Sequence, residues 1–544
     1  MKKILLFLLS VICVVAIFAL VGRIGASNGD RMPGSMRIQN PAASRRDMLI
    51  VSTNPYEARF NPLYAETPAD LAITRLLFDP LVEPAPDGTP IPVLASFALS
   101  VDGKTYTFTL EKATYSDGTP VTAQDVAFTW HVLCDPAYTG PHDIKTLGIS
   151  GSEAFTEGVA EAIAGVEVVN DSTIRVTLRE ASATALFKLG IAPLSKAYYG
   201  AGYSHGRLDE LLLQLSRPMG AGQYSLSELS MQQVTLSRVS TYARGTPSIR
   251  SVRFVVATQE EAVQMMVSGA ADLDLTGSHS LLDVQAHQHL ACEEVLSNTV
   301  GLLGFNANAK GLRDPIVRQA IRLCVDREAL IERVFGSEGA VAHALPVSAL
   351  SWAATEMPVR YSTHEASALL EQNGYKKNSA GIYEKDGVAL RFTFTVTENN
   401  RASAALAEIL SEALAHAGMV VSVNTLDYAT LLLALRLGQC EMWFMGWQLG
   451  ADPDLTSQIG TGEGFNLFGY SSQRADELLS SALAETSMER RATMYALLWR
   501  EMEANPPYVP LYQRTEKIVF NRRLQAFELN PYVPQTACFY QVRW

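Results

Sequence analysis

Cysteine is scarce in this chain: six in 544 residues, and only Cys134, Cys292, Cys324, Cys440 and Cys538 lie beyond the N-terminal apolar run. No Cys-x-x-Cys pair occurs, which excludes the common zinc and dithiol redox motifs, and an odd set of five permits at most two disulfides. Cys324 shares the apolar face of a helix expected from Asp314 with Val317, Ala320 and Ile321, and reads as a buried small hydrophobe. Positive charge is also short. Forty-four Lys and Arg stand against 56 Asp and Glu, for a net charge of −12. With no basic stripe or arginine-rich tail, a phosphate backbone has no electrostatic footprint here, and nucleic acid is excluded as a partner.

Catalytic signatures are missing as well. His364-Glu365 lacks the second His of a zinc-protease helix, because position 368 is Ala. Neither a glycine-rich phosphate loop ending in Lys-Ser/Thr nor a Gly-x-Ser-x-Gly elbow is present. His279, His287 and His289 cluster, but one His-x-His pair does not converge enough ligands for a metal, and they read as a solvated helix face. No enzymatic activity, cofactor or metal is expected.

What is present is apolar mass: 48% of the residues are hydrophobic, enough for a large core and several domains. Strand and helix signals intermix, which makes the class α/β. Thr105 to Leu110, Thr173 to Leu178 and Arg391 to Val396 alternate as strands, whereas Ala402 to Ala417 and Ala475 to Glu503 read as helical. After the first of these strands, Asp117-Gly118 supplies a turn, and Thr122 with Asp125 forms a capping-box variant that opens a helix. Asp314 followed by Pro315 is a second helix start, and Asp326 a third.

At the N-terminus, Lys2-Lys3 precede an apolar run from Ile4 to Gly22 broken only by Ser10, an export signal that is also long enough to span a bilayer. Ile24-Gly25-Ala26 offers a cleavage site, but Arg23 equally suits an anchor flank, so residues 1–26 stand as signal peptide or anchor. Residues 27–46, rich in Ser, Gly, Asn, Pro and Arg, read as a flexible tether.

Five ordered blocks carry a resemblance. Tyr115-Ser116-Asp117-Gly118-Thr119-Pro120-Val121-Thr122-Ala123-Gln124-Asp125-Val126 is the first, followed by Gly220-Ala221-Gly222-Gln223-Tyr224 and Ser268-Gly269-Ala270-Ala271-Asp272-Leu273. Phe305-Asn306 with Asp314-Pro315-Ile316-Val317-Arg318-Gln319-Ala320-Ile321 and Asp326-Arg327 forms the fourth, and Met445-Gly446-Trp447 with Asp452-Pro453-Asp454 the fifth. Over about residues 48 to 535 the chain resembles the extracytoplasmic solute-binding proteins of the oligopeptide, dipeptide and nickel class, which serve ATP-driven importers. The resemblance implies a type II periplasmic-binding fold, two lobes around a ligand cleft plus an extra domain. Lobe I would comprise 47–78, 216–305 and 510–544, the extra domain 79–215, and lobe II 306–509. It further implies a monomer outside the cytoplasmic membrane that closes on a small solute, most simply a peptide, and passes it to an ABC permease. A chelated metal or an oligosaccharide as ligand, or a membrane-anchored peptide sensor or chaperone on the same fold, are the alternatives.

Candidate ligand contacts follow from the same blocks. Gly446 and Trp447 would form one wall, with the indole stacking on the ligand or packing beside Trp443 and Phe444. Many peptide-binding members carry an aspartate three residues after that tryptophan to meet the ligand's amino group, whereas this chain has Gly450; Asp452 or Asp454 would substitute or serve the loop itself. Tyr56, Phe60, Asn61 and Tyr64, in a proline-punctuated loop after Leu49-Ile50-Val51, suit a mixed polar and aromatic opposite wall. Arg401 is a candidate carboxylate partner, and Asn466 a hydrogen-bond donor or a turn former.

Overall fold

The alternating run before the Asp117-Gly118 turn forms the strand Thr105–Leu110, with Tyr106, Phe108 and Leu110 buried. Gly118 takes φ of 87°, and Asp117 Oδ1 accepts the Thr119 N–H at 2.9 Å to close the turn. Helix Ala123–Cys134 follows, opened by Asp125 Oδ2 reaching back to the Thr122 N–H at 2.8 Å. Its Trp130 is fully buried, edge-on to Phe108 at 5.7 Å, and donates its indole N–H to the Leu189 carbonyl at 3.1 Å. The strand belongs to an antiparallel four-stranded sheet in the order Ala95–Leu99, Thr105–Leu110, Thr173–Thr177, Val166–Asn170, and the helix packs against it.

A computed structural model describes residues 40, 42–336, 339–342, 350, 352–354 and 360–544. The apolar run 4–22 lies outside these, and among the described residues no helix is long and apolar enough to cross a membrane. The end of the expected tether is packed. Ala42 is buried, and Arg45 pairs with buried Asp272 at 2.9 Å, a contact across 227 positions that polar composition does not reveal.

The principal sheet has eleven strands, and two long ones hold it together. Leu290–Phe305 and Tyr508–Asn521 pair antiparallel, Leu290 with Asn521 through Leu296 with Thr515, then Val300 with Gln513 through Gly304 with Tyr508. Between those runs the ladder is irregular, as Ser297, Asn298 and Thr299 bulge past Arg514. At one end of the pair, Phe520 meets Leu273, whose strand joins Met48–Thr53, Ser251–Val256, Gln233–Arg238 and Tyr224–Leu229 in turn. At the other, Leu290–Phe305 carries Met442–Gln448, then Arg391–Thr397 and Val420–Leu426, while Gly339–Val341 adds to the free edge of Tyr508–Asn521. Two lobes therefore share a sheet through two continuous strands.

Side-chain alternation sorts the second lobe into two cores. Met442 and Phe444 join Leu303, Phe305, Phe394 and Leu406 on one face, whereas Trp443 joins Val300, Leu302 and Leu479 on the other. Gly304 makes room for this, because a Cβ there would lie 2.4 Å from the Trp443 ring. The helix starts behave as the sequence implies: Asp314 Oδ1 accepts the Ile316 N–H at 3.0 Å with Pro315 at the first helical position, and Asp326 Oδ1 accepts the Ala329 N–H at 2.9 Å. Residues 475–503 divide into Gln473–Ala484 and Met488–Ala504, with Ser487 capping the second. In the first lobe, Leu49, Val51 and Phe254 share one continuous core with Phe108 of the four-stranded sheet and Trp130 of the helix Ala123–Cys134, so this unit is fused to the first lobe. Its tip also reaches the second lobe, where the Ala183 N–H donates to the Leu483 carbonyl at 2.7 Å. The cysteines Cys134, Cys324, Cys440 and Cys538 are free thiols, and Cys324 is fully buried, where desolvation pushes its thiol up to about 12.

Candidate functional site

Between the point where Gly339–Val341 leaves the strand Tyr508–Asn521 and the point where Leu273 joins it, one edge of that strand opens onto a cavity of about 280 Å³. Thr53 and Asn54, directly after the opening strand, line it together with Asp274, Arg514 and Glu516. The first-lobe wall is rigid. Asp274 is buried and accepts from the hydroxyls of Ser52, Thr276 and Ser278, each at 2.8 Å, and from the Thr276 and Ser278 N–H groups at 3.0 Å. Five donors hold one carboxylate, which fixes the loop that leads from Leu273–Asp274 toward the cleft.

The expected aromatic wall lies one step behind this surface. Phe60, Asn61 and Tyr64 are buried, not presented to ligand: Asn61 Oδ1 accepts the Leu63 N–H at 2.9 Å, and the Tyr64 ring packs 5.3 Å from Tyr138. Burial, with the charge of Asp135 second, pushes the Tyr64 phenol up to about 12. Tyr56 is half-buried, 5.7 Å from Phe60, with its hydroxyl donated to the Ser230 carbonyl. A loop rich in aromatics after an edge of sheet reads as a pocket, but here the rings complete the core under it.

In the second lobe, Trp447 is half-buried near the end of Met442–Gln448, its ring edge-on to Phe468 at 5.4 Å and to Tyr508 at 5.6 Å. Gly446 beside it is exposed. The chain beyond is clamped to the bulge of the crossing strand: Asn298 donates to the Leu449 carbonyl at 2.7 Å and accepts the Leu449 N–H on its own carbonyl at 2.9 Å. Trp447 and the hinge are thus held in one register. Gly450 is exposed, and a Cβ there would find nothing nearer than the Asp452 nitrogen at 3.9 Å.

The acidic pair after it is engaged inside the loop. Asp452 forms a two-pronged ion pair with Arg491, and Asp454 Oδ1 accepts the N–H of Thr456 at 3.0 Å and its hydroxyl at 2.5 Å. Asn466 is similarly occupied, donating to the carbonyls of Gly460 and Tyr470 at 2.8 Å and accepting the Tyr470 N–H at 3.1 Å. It borders a separate recess with Asn306 and Gly438, and Asn306 lies just past the Phe305 end of its strand, away from the hinge. Arg401 is exposed at the first turn of helix Arg401–His416.

Sequence reasoning singled out neither Arg514 nor Glu516. The signal was a short charged stretch, Arg514, Glu516 and Lys517, between the apolar ends of the segment Tyr508 to Phe520. The histidines take a different setting from the expected helix face: His279 sits in the single turn Ser278–Ser280 and His287 follows another at Val284–Ala286, where the chain turns too often for a helix to grow. Among the described residues no three His, Cys, Asp or Glu side chains converge to hold a metal ion.

Residues 89–464 match the family model of bacterial extracellular solute-binding proteins, family 5. Among curated relatives, the oligopeptide-binding protein AppA of Bacillus subtilis is 23% identical over 550 residues, covering 97% of each chain. The solved structure of that AppA with a nonapeptide superposes with a TM-score of 0.69 over 91% of this chain and 98% of the other, at 21% identity. NikZ of Campylobacter jejuni, solved with Ni(L-His), gives 0.71 over 92% and 100%, at 22% identity. A family match over most of the chain, on a sheet divided into two lobes by crossing strands, makes this protein a member of the bacterial extracellular solute-binding proteins of family 5.

Proposed function

We propose that this chain is the substrate-binding component of an ABC importer, capturing a short peptide between its lobes outside the cytoplasmic membrane and delivering it to the permease. The observation that carries the reading is the cavity on the open edge of Tyr508–Asn521, at the strands that connect the lobes. The residues lining the cavity all belong to the first lobe, so a ligand seated there gains second-lobe contacts only on closure, and it biases the open–closed equilibrium toward the closed form. An extended peptide can pair its backbone there while its side chains enter loosely fitted space. The peptide-bound AppA relative supports this choice of ligand. Lobe I at 47–78, 216–305 and 510–544, the extra domain at 79–215 and lobe II at 306–509 is the division of labour we propose, with Trp447 and Gly446 as the second lobe's contribution and residues 4–22 as export signal or anchor.

Native mass spectrometry of the exported protein, purified from peptide-rich medium without stripping, tests the reading. Extra masses that fragment as short peptides are expected. A single discrete adduct instead favours a chelate-type ligand, the second reading, which Gly450 and the likeness to NikZ with its Ni(L-His) keep in view.

A further inference from the structure

Arg514 and Glu516 stand two residues apart on one strand, so their side chains leave the same face roughly 7 Å apart. Both line the 280 Å³ cavity. They do not pair with each other, and among the described residues Glu516 makes no ion pair or side-chain hydrogen bond. Among the described residues the Arg514 guanidinium makes no ion pair and lies over the Phe335 ring, 5.9 Å from its centre. Every other charge on this cavity is already answered: Asp274 by its five donors, Lys517 by Glu294 at 2.9 Å. His279 has contacts of its own. Glu516 is partly buried, and desolvation raises its carboxyl above the ordinary range while Arg514 opposes the rise.

A half-buried carboxylate without a partner is a cost that natural structures retain at sites where a ligand supplies the missing cation. The loop after Trp447 offers no open carboxylate at its acidic positions, since Asp452 and Asp454 are engaged and Gly450 has no side chain. Resting on the peptide reading above, we propose that Arg514 and Glu516 form a dipolar subsite for the amino end of the ligand. Glu516 receives the ammonium, and Arg514 the carbonyl oxygen of the same residue. The class of ligand this selects is a peptide, or other primary amine with an adjacent oxygen acceptor, whose amino group is free.

The test uses the full exported chain and a mixture of lysine-free tri-, tetra- and pentapeptides, each supplied with a free and an N-acetylated amino terminus. Peptides retained through gel filtration are counted by mass spectrometry. The wild type should retain free over acetylated forms by about tenfold or more, Glu516→Gln should bring the ratio near one while still holding acetylated peptides, and Glu516→Asp should keep most of the preference. The melting temperature of Glu516→Asp should match the wild type, and that of Glu516→Gln should equal or exceed it, because an uncompensated carboxylate is removed. Preference for free amines that survives Glu516→Gln, or a wild type that shows none, overturns the subsite and leaves peptide capture standing. A wild type that retains neither form overturns the peptide reading and the subsite together.

Discussion

Arg491 grips Asp452 with both terminal nitrogens, Nη1 to Oδ2 at 2.9 Å and Nη2 to Oδ1 at 2.8 Å, with only 8% and 12% of the two side chains exposed. The same guanidinium donates through Nε to the Ala482 carbonyl at 3.0 Å and lies 5.4 Å from the Trp352 ring. It ties the loop after Trp447 to the helix pair behind it, and it faces the extra domain across a second cavity that Tyr106 also lines. Removing one partner of such a pair strands the other charge, so Asp452→Ala should lose about 3–5 kcal/mol of stability in urea unfolding. A loss under about 1 kcal/mol would show that the loop is held by other contacts.

Trp447 packs on Phe468 and Tyr508 while leaving part of its ring exposed. Trp447→Ala should lower ligand affinity about tenfold, measured by calorimetry with a co-purified peptide. The stability cost should stay below the ~3–5 kcal/mol of a fully buried aromatic. Unchanged affinity would remove Trp447 from the site.

Gly450 has open space at its Cβ position and no positive φ, so an L side chain fits without strain. Gly450→Asp adds a carboxylate to the exposed loop after Trp447, the position where peptide-binding relatives by resemblance carry an aspartate. Affinity for peptides with free amino termini should rise severalfold at an unchanged melting temperature. No gain in titrations of free against acetylated peptides would show that this loop stands off the ligand.

His131 is neutral by design of its surroundings. Its Nε2 accepts the Ile163 N–H at 3.2 Å, so Nδ1 carries the proton toward the Ala127 carbonyl at 2.6 Å. Burial holds its pKa below the ordinary 6.5, with the Ala127 contact opposing and Lys196 adding. The unfolded chain therefore binds the proton first, and stability falls as pH drops below about 6.5 until the folded pKa is passed, by up to ~1.4 kcal/mol per pH unit. His142, lowered in the same way by burial, adds its own share. His131→Gln should reduce the difference in melting temperature between pH 7 and pH 5, and an unaltered difference would assign the acid sensitivity elsewhere.

Cys134, Cys324, Cys440 and Cys538 are free thiols, three of them buried. Reductant should leave the melting temperature unchanged, and a thiol reagent should modify Cys134, Cys324 and Cys538, whose thiols burial pushes up, far more slowly in the folded protein than after unfolding in urea. A drop in melting temperature on reduction would reveal a disulfide and sink this expectation.

Local features were legible because their causes are local. The turn at Gly118, the box between Thr122 and Asp125 and the cap at Asp314 each depend on residues within four positions of one another. Cys324 could be placed inside because its helix has an apolar stripe. The loop from Tyr56 to Tyr64 defeated the same reasoning, since aromatic content does not say which side of a loop the core occupies. Asn466 and Asp454 looked available because a polar side chain in a loop has no visible partner until the chain turns back on it.

The sequence by itself determined the α/β class, the helix starts and the family, since these rest on short-range periodicity, capping chemistry and ordered motifs. Which charges are answered and which are left open was decided only by tertiary structure. Glu516 and Asp274 are chemically alike, yet Asp274 gathers five donors from its own turn and from Ser52, whereas Glu516 lies on a strand whose neighbours, Leu290–Phe305, Leu273–Asp274 and Gly339–Val341, come from more than a hundred residues away. Long-range strand pairing leaves one stretch of that edge uncovered among the described residues, which no local pattern around Glu516 reveals.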